Sequence, residues 1–274
     1  MSAISVLIDY NVRDSIRNRW LQVYAVIFAL LAGSVALGGS AAASFTGTGG
    51  FGPVVAQFVV LVMLLAPLMG LTLGVDAVVR DRERGIFAYV LAQPVSRAQY
   101  FVSKIVVLAI ALCAAVLFGF GVAALFMGAL GSIDALADLA VLLGLTWLLT
   151  VAMAAVGIVV SVTARKAPTA LGIAIALWLA FTMLGDMGLM ATALATRIGI
   201  GPLLYATLLN PVEAFRIAAI AQLSGSLDAL GAGGRLASDV FGGWILPVTV
   251  AAILLWLFAS IACAWLVFRR GDAV

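Results

Sequence analysis

Few residues in this chain are equipped for chemistry. The most suggestive grouping is Asp186, with Met183 three residues before it and Met187 and Met190 one and four residues after it, inside an apolar run. A thioether stripe beside a carboxylate is a soft-cation arrangement of the kind that suits Cu(I). A carboxylate at the centre of a membrane helix costs about 2.5–3.5 kcal/mol on insertion scales, so such a residue needs a reason. Plain packing is the competing reading, because methionines fill irregular gaps and Asp186 sits in the outer half of its run, where water or Arg197 is within reach. Met183, Asp186 and Met187 are candidates for lining a translocation cavity, and no metal site is assigned.

Other chemistries are removed by what the chain lacks. It has no histidine, which takes away imidazole metal sites and histidine general-base catalysis. Its two cysteines, Cys113 and Cys263, lie in separate apolar runs and form no CxxC pair. No G-x-x-x-x-G-K-[ST] loop occurs, and neither Lys104 nor Lys166 has the glycine spacing that cradles phosphates. The chain is therefore expected to bind no ATP and to catalyse nothing itself. An intramembrane protease or acyltransferase would need clustered His, Ser or paired Asp within the apolar runs. A membrane anchor without transport remains open.

The charges that do occur gather in DRERGIFAYVLAQPVSRAQYFVSK, residues 81 to 104. After the charged turn of Asp81, Arg82, Glu83 and Arg84, the residues Ile86, Phe87, Val90 and Leu91 share a helical face. Spacing predicts a short helix in the membrane plane that ends near Ala92, since Pro94 disfavours helical geometry at Gln93. A second helix starts at Ser96, where Ser96 and Gln99 form a capping box and Val95 with Tyr100 a hydrophobic staple. The product is a helix joined by a stiff elbow to the next span. Two readings stand: a lever that touches a soluble protein, or a solvated positive loop.

The surrounding elements are apolar throughout. The 274-residue chain is 65% hydrophobic and 10% charged, against about 25% charged for soluble domains, and its mean hydropathy is +1.23. Six runs reach the roughly 20 residues that cross a bilayer, near 20–40, 54–79, 102–130, 135–163, 168–195 and 244–268. Being continuous rather than alternating, they exclude a β-barrel. The fold class is all-α, a polytopic membrane protein with six transmembrane helices in one domain covering 1–274. Residues 1–19 read as an interfacial amphipathic helix, with Ile4, Leu7, Ile8, Val12 and Ile16 on one face, rather than as a cleaved leader.

Twelve of the fifteen basic residues fall on one side, in the segments holding Arg13, Arg17 and Arg19, Arg80 to Lys104, Arg165 and Lys166, and Arg269 and Arg270. Arg197, Arg216 and Arg235 fall on the other. Positive residues stay in the cytoplasm, so both termini are placed there in a cytoplasmic, inner-membrane location, and the net charge of +3 calls for no nucleic acid. The outer segment 196–243 is too long for a simple connector. Within it, Asn210 as N-cap, Pro211 at the first helical position and Glu213 reaching back predict a helix, which either plugs the bundle or docks a partner. Ala66, Gly70 and Gly74, at intervals of four, predict close helix packing in the second span, which Pro67 would kink.

With six spans around it, RDRERGIFAYVLAQPVSRAQYFVSK resembles the loop of the permease family of ABC exporters, which reads roughly E-x-E-x-G-x-x-x-x-L-x-x-x-P-[VI]-S-R. The resemblance implies a coupling helix seated in a groove of a separate cytoplasmic ATP-binding subunit, with Arg82, Glu83, Gly85, Leu91, Pro94, Ser96 and Arg97 as the coupling residues. NPVEAFR resembles the outer-loop motif of the same family, implying periplasmic docking by Asn210, Pro211, Glu213, Phe215 and Arg216. ATP and magnesium would reside in the partner ATPase, and a second copy of the chain and membrane lipid would complete the assembly. The sequence as a whole looks most like those members that serve maturation of the copper centre of nitrous-oxide reductase. That likeness implies a further periplasmic partner, and either export of a sulfur species or a mechanical signal. A permease for drugs, lipids or peptides is the alternative within the family.

Overall fold

A computed structural model of the chain describes residues 18–46, 52–86, 96–129, 135–194, 208–224 and 242–270. Side chains at 39–46, 52–56, 135–136, 184, 186–194, 223–224 and 242 are outside that description. Residues 1–17 of the expected amphipathic segment and the coupling candidates Leu91 and Pro94 lie outside the described residues, as do the side chains of Asp186 and Met187.

Among the described residues there are seven α-helices: α1 Arg19–Thr46, α2 Gly52–Glu83, α3 Arg97–Ala129, α4 Ala135–Thr163, α5 Ala167–Leu194, α6 Pro211–Ser224 and α7 Ile245–Arg270, the last entered through a 3-10 turn at Gly242–Trp244. Among the described residues there is no strand. Apolar surroundings offer the backbone no water, so each segment satisfies its N–H and C=O groups internally by forming a helix. Five helices, α1 to α4 and α7, are long and apolar enough to cross a membrane, and α5 carries a shorter apolar stretch over Ala167–Met183.

The helices run past the limits read from hydropathy. α1 continues to Thr46 and α2 starts at Gly52, so most of the expected first outer loop is helix; its run of alanines favours helix whatever its polarity. At the other end α2 continues to Glu83, four residues beyond the predicted span. Asp81, Arg82 and Glu83 thus form the last turn of a long helix rather than the first turn of a new one.

α2 and α4 pack along one another at the centre, with 67% and 61% of their apolar windows buried, whereas α7 has 17% buried and α1 33%. Their seam is made by small residues. A β-carbon on Gly70 would meet the Thr150 carbonyl, one on Gly74 the Ala154 carbonyl, and one on Gly157 of α4 would lie 2.5 Å from the Leu71 carbonyl. Only glycine lets the backbones approach so closely. α1 rests against α3, α5 against α2, and α7 against α4.

α6 is an interior element. It packs on α7, α4, α2 and α5, and Val212, Ala214, Phe215 and Ala218 are fully buried. Its entry is held from two sides: Asn210 Nδ2 donates to the Phe181 carbonyl of α5 at 2.7 Å, and Trp256 Nε1 of α7 donates to the Leu209 carbonyl at 2.7 Å.

Candidate coupling site at the charged end of the bundle

The end of α2 and the start of α3 are built for rigidity by local chemistry. Arg84 N still bonds the Arg80 carbonyl at 3.1 Å, but Gly85 N turns back to the Arg82 carbonyl at 3.1 Å, and Gly85 adopts φ of 69°. That left-handed conformation terminates the helix and belongs to glycine. At the start of α3, Ser96 N donates to Gln99 Oε1 at 2.9 Å, while Gln99 N donates to Ser96 Oγ at 3.1 Å. The expected capping box is present in both halves.

Three sets of contacts tie this end together. Asp81 Oδ2, on α2, accepts from Tyr100 Oη at 2.6 Å and from Lys104 Nζ at 2.7 Å, both on α3. Tyr100 in turn stacks on Phe268 of α7, and Phe101 packs against Phe268 and Trp265. Arg82 reaches across to the end of α4, its Nη1 donating to the Ala164 carbonyl at 2.9 Å and its Nη2 to the Val162 carbonyl at 3.4 Å. The neighbouring Glu83 accepts at Oε1 from Ala167 N, the first residue of α5, at 2.8 Å. A cation thus sits on the carbonyl end of α4 and an anion on the amide end of α5. Both match the helix dipoles and both satisfy backbone groups the helices leave open.

One turn deeper, the Ser161 hydroxyl of α4 is inserted into the hydrogen-bond ladder of α2. It donates to the Val75 carbonyl at 2.5 Å and accepts from Val78 N at 3.0 Å and Val79 N at 2.8 Å. The residue is fully buried. An inserted side chain is one of the recognised causes of a helix bend, and it welds the last turns of α2 to α4.

Of the seven coupling residues expected, the structure brings Arg82, Glu83, Gly85, Ser96 and Arg97 to the two ends that flank residues 87–95. Arg82 and Glu83 face the α4–α5 junction, a role no local pattern announces because their partners lie 80 to 84 residues away. In the sequence, Asp81, Tyr100 and Lys104 register only as part of a charged turn, a staple member and a lysine without phosphate-loop spacing, and Ser161 does not register. None of those signals names a partner.

The other candidates fall elsewhere. Asn210 caps α6, its Oδ1 accepting from Val212 N at 3.0 Å, and Pro211 and Phe215 are buried in the bundle. Glu213, expected to reach back to the cap, is also buried, packed against Gly185 of α5 with its Oε1 3.7 Å from Arg216 Nη1. Of the five expected docking residues, Asn210 and Arg216 retain partial exposure. Met183 is 54% exposed on α5 and lines neither cavity described in the bundle.

The profile of the ABC-2 family transporter proteins matches residues 6–273. This chain belongs to the ABC-2 transporter family. Within it, the chain is 34% identical to the "Probable ABC transporter permease protein NosY" of Pseudomonas aeruginosa, across 98% of this chain and 99% of that protein. It is 32% identical to the protein of the same name from Stutzerimonas stutzeri, across 94% of each. The ABC-2 chain is accordingly an ABC transporter permease, a multi-pass membrane protein.

Proposed function

We propose that this chain is the six-span permease subunit of an ABC transporter in the bacterial inner membrane, with both termini cytoplasmic, driven by a NosF-like ATPase and working with a periplasmic NosD-like protein and a second copy of itself. The relatives' name ties this reading to the nitrous-oxide reductase system. The role we assign is assembly of the copper-sulfide centre of that enzyme, by export of a sulfur species or by a conformational signal passed to the periplasm. ATP and magnesium belong to the ATPase.

The observation that carries the coupling reading is the pair Arg82 and Glu83 at the α4–α5 junction, directly before the segment 87–95. A push on that segment enters α2 through its last turn and α3 through its capped first turn. Because Asp81 binds α3 and Arg82 and Glu83 bind α4 and α5, the push reaches four helices without passing through a flexible loop. The buried α6, wedged among α2, α4, α5 and α7, then lies where movement of those helices is felt at the far end.

The test is purification of the complex through this chain, unaltered and with Arg82→Ala, Glu83→Ala or Arg97→Ala. An ATPase that co-purifies, with hydrolysis or copper-site assembly that depends on these residues, supports the reading. If no ATPase accompanies the unaltered chain, the membrane-anchor reading replaces it. Assembly that proceeds with an added sulfur source but still needs ATP separates signalling from export.

A further inference from the structure

Arg19, Arg80, Arg84 and Lys104, from three helix ends, meet at one cavity of about 370 Å³ at the charged end. Two of the four are neutralised. Arg80 Nη2 bonds Asp76 Oδ2 at 2.5 Å, and Lys104 Nζ bonds Asp81 Oδ2 at 2.7 Å. Arg19 and Arg84 make no ion pair or side-chain hydrogen bond among the described residues, and the lining holds four cations against the two carboxylates of Asp76 and Asp81.

The cavity is graded. Asp76 and Arg80 lie one turn apart on one face of α2, and Arg84, in the turn after Glu83 with its N still bonded to the Arg80 carbonyl, continues that spacing about 12 Å further out than Asp76 at 1.5 Å per residue. At the bottom, Asp76 Oδ1 is buried and makes no hydrogen bond among the described residues, which marks a floor polar enough to take water. At the mouth, Trp20 is 49% exposed beside Arg19, an indole at the level where membrane proteins place them, between hydrocarbon and headgroups. Below Trp20, α1 turns Val23, Val26 and Ile27 outward.

We propose that this cavity binds the phosphate headgroup of an anionic phospholipid, held by the guanidinium groups of Arg19 and Arg84. The planar forks of arginine pair with phosphate oxygens two at a time. Basic pockets between membrane helices on the cytoplasmic side are the usual receptors for such headgroups. A space of this size admits the headgroup and leaves the acyl chains outside, against the apolar face of α1 beneath Trp20. The bound lipid bridges α1 to the last turn of α2, immediately before the coupling segment. The leaflet concerned follows from the orientation proposed above; the site itself does not, because it is at one end of the bundle whichever side that end faces.

The experiment uses the full chain in nanodiscs with the same lipid in both leaflets, phosphatidylcholine with a minor share of phosphatidylglycerol, followed by extraction and native mass spectrometry. The unaltered chain is expected to retain phosphatidylglycerol over phosphatidylcholine. Arg19→Gln and Arg84→Gln should weaken that preference roughly fivefold for each cation removed. Arg84→Lys, which keeps the charge and loses the fork, should fall between. Arg269→Gln with Arg270→Gln, exposed cations at the end of α7, should retain lipid as the unaltered chain does. Equal retention by all variants, or no preference in the unaltered chain, overturns the proposal. A third arm adds glycerol 3-phosphate and inorganic phosphate to lipid-free protein in detergent. A rise in melting temperature that depends on Arg19 and Arg84, without enrichment of phosphatidylglycerol, assigns the cavity to a soluble phosphate and overturns the lipid source. None of these readings involves the ATPase, so failure of the coupling reading leaves them intact.

Discussion

Asp81 concentrates the electrostatics of the charged end in one carboxylate oxygen. Its partners Tyr100 and Lys104 are largely shielded, Tyr100 at 2% exposure and the Lys104 side chain at 15%. Removing one member of a shielded pair strands the other, which typically costs 3–5 kcal/mol when burial is complete. Asp81→Asn should therefore lower stability by about 2–4 kcal/mol, since water still reaches part of the site. Tyr100→Phe removes one hydrogen bond to a charged group and should cost about 1.5–3 kcal/mol. Thermal unfolding in detergent checks the order, and a Tyr100→Phe effect larger than that of Asp81→Asn would refute it. Gly85 differs in kind. A β-carbon there meets nothing within 4 Å, so the only penalty of Gly85→Ala is the left-handed backbone, about 1–2 kcal/mol. That strain falls on the helix terminus just before residues 87–95. We expect a folded, membrane-inserted Gly85→Ala chain whose partner ATPase is poorly coupled, measured as ATP-driven output per ATP hydrolysed. The Ser96–Gln99 box was legible because both members lie within one turn. Arg82 and Glu83 were legible as charges but not as clamps, because a one-dimensional pattern does not say that the α4–α5 junction will come to them.

Between elements, the α2–α4 seam decides how the bundle holds together. The stripe Ala66, Gly70, Gly74 announced a close approach, and the structure supplies the other half, Gly157 and the carbonyls of Thr150 and Ala154. Identical substitutions should then have opposite effects at different glycines. Gly74→Ala forces α2 and α4 apart, and overpacking of this kind typically costs 1–3 kcal/mol. Gly121→Ala, on α3 with nothing within 4 Å of the added carbon, should be neutral or stabilising by up to about 1 kcal/mol through helix propensity. Melting temperatures of the two variants test this, and equal shifts would mean that the seam is looser than described. Helices were readable wherever apolar runs were long. Their ends were not, since hydropathy falls at the first charge while the helix continues as long as its polar groups find partners, as Asp81, Arg82 and Glu83 do. The burial of α6 was only half readable. Asn210 and Pro211 marked where it starts, but whether its face met solvent or four other helices depended on surfaces far away in sequence.

At the scale of the whole molecule, the contacts at the charged end make a prediction about motion. Arg82 on the α4 carbonyls, Glu83 on the α5 amide and Ser161 inside the α2 ladder join α2, α4 and α5 at one end, and Asp81 adds α3. The Ser161 bonds to α2 and the Asp81–Tyr100 bond are buried, so breaking either set during a transport cycle would strand a buried polar group at a cost of about 1–3 kcal/mol. Tilting the joined ends together costs none of that. The nucleotide cycle of a partner ATPase should therefore move this end as one body and show its largest internal changes toward α6. Spin labels can be placed on Arg84→Cys and Lys166→Cys, two exposed positions, in a chain carrying Cys113→Ser and Cys263→Ser. Their separation should be unchanged between nucleotide-free and ATP-bound complexes. A second pair at Lys166→Cys and Leu209→Cys, spanning the molecule to the start of α6, should change. If the first pair moves as much as the second, the junction is a hinge rather than a clamp. The force from the coupling segment would then have to travel through α3 alone.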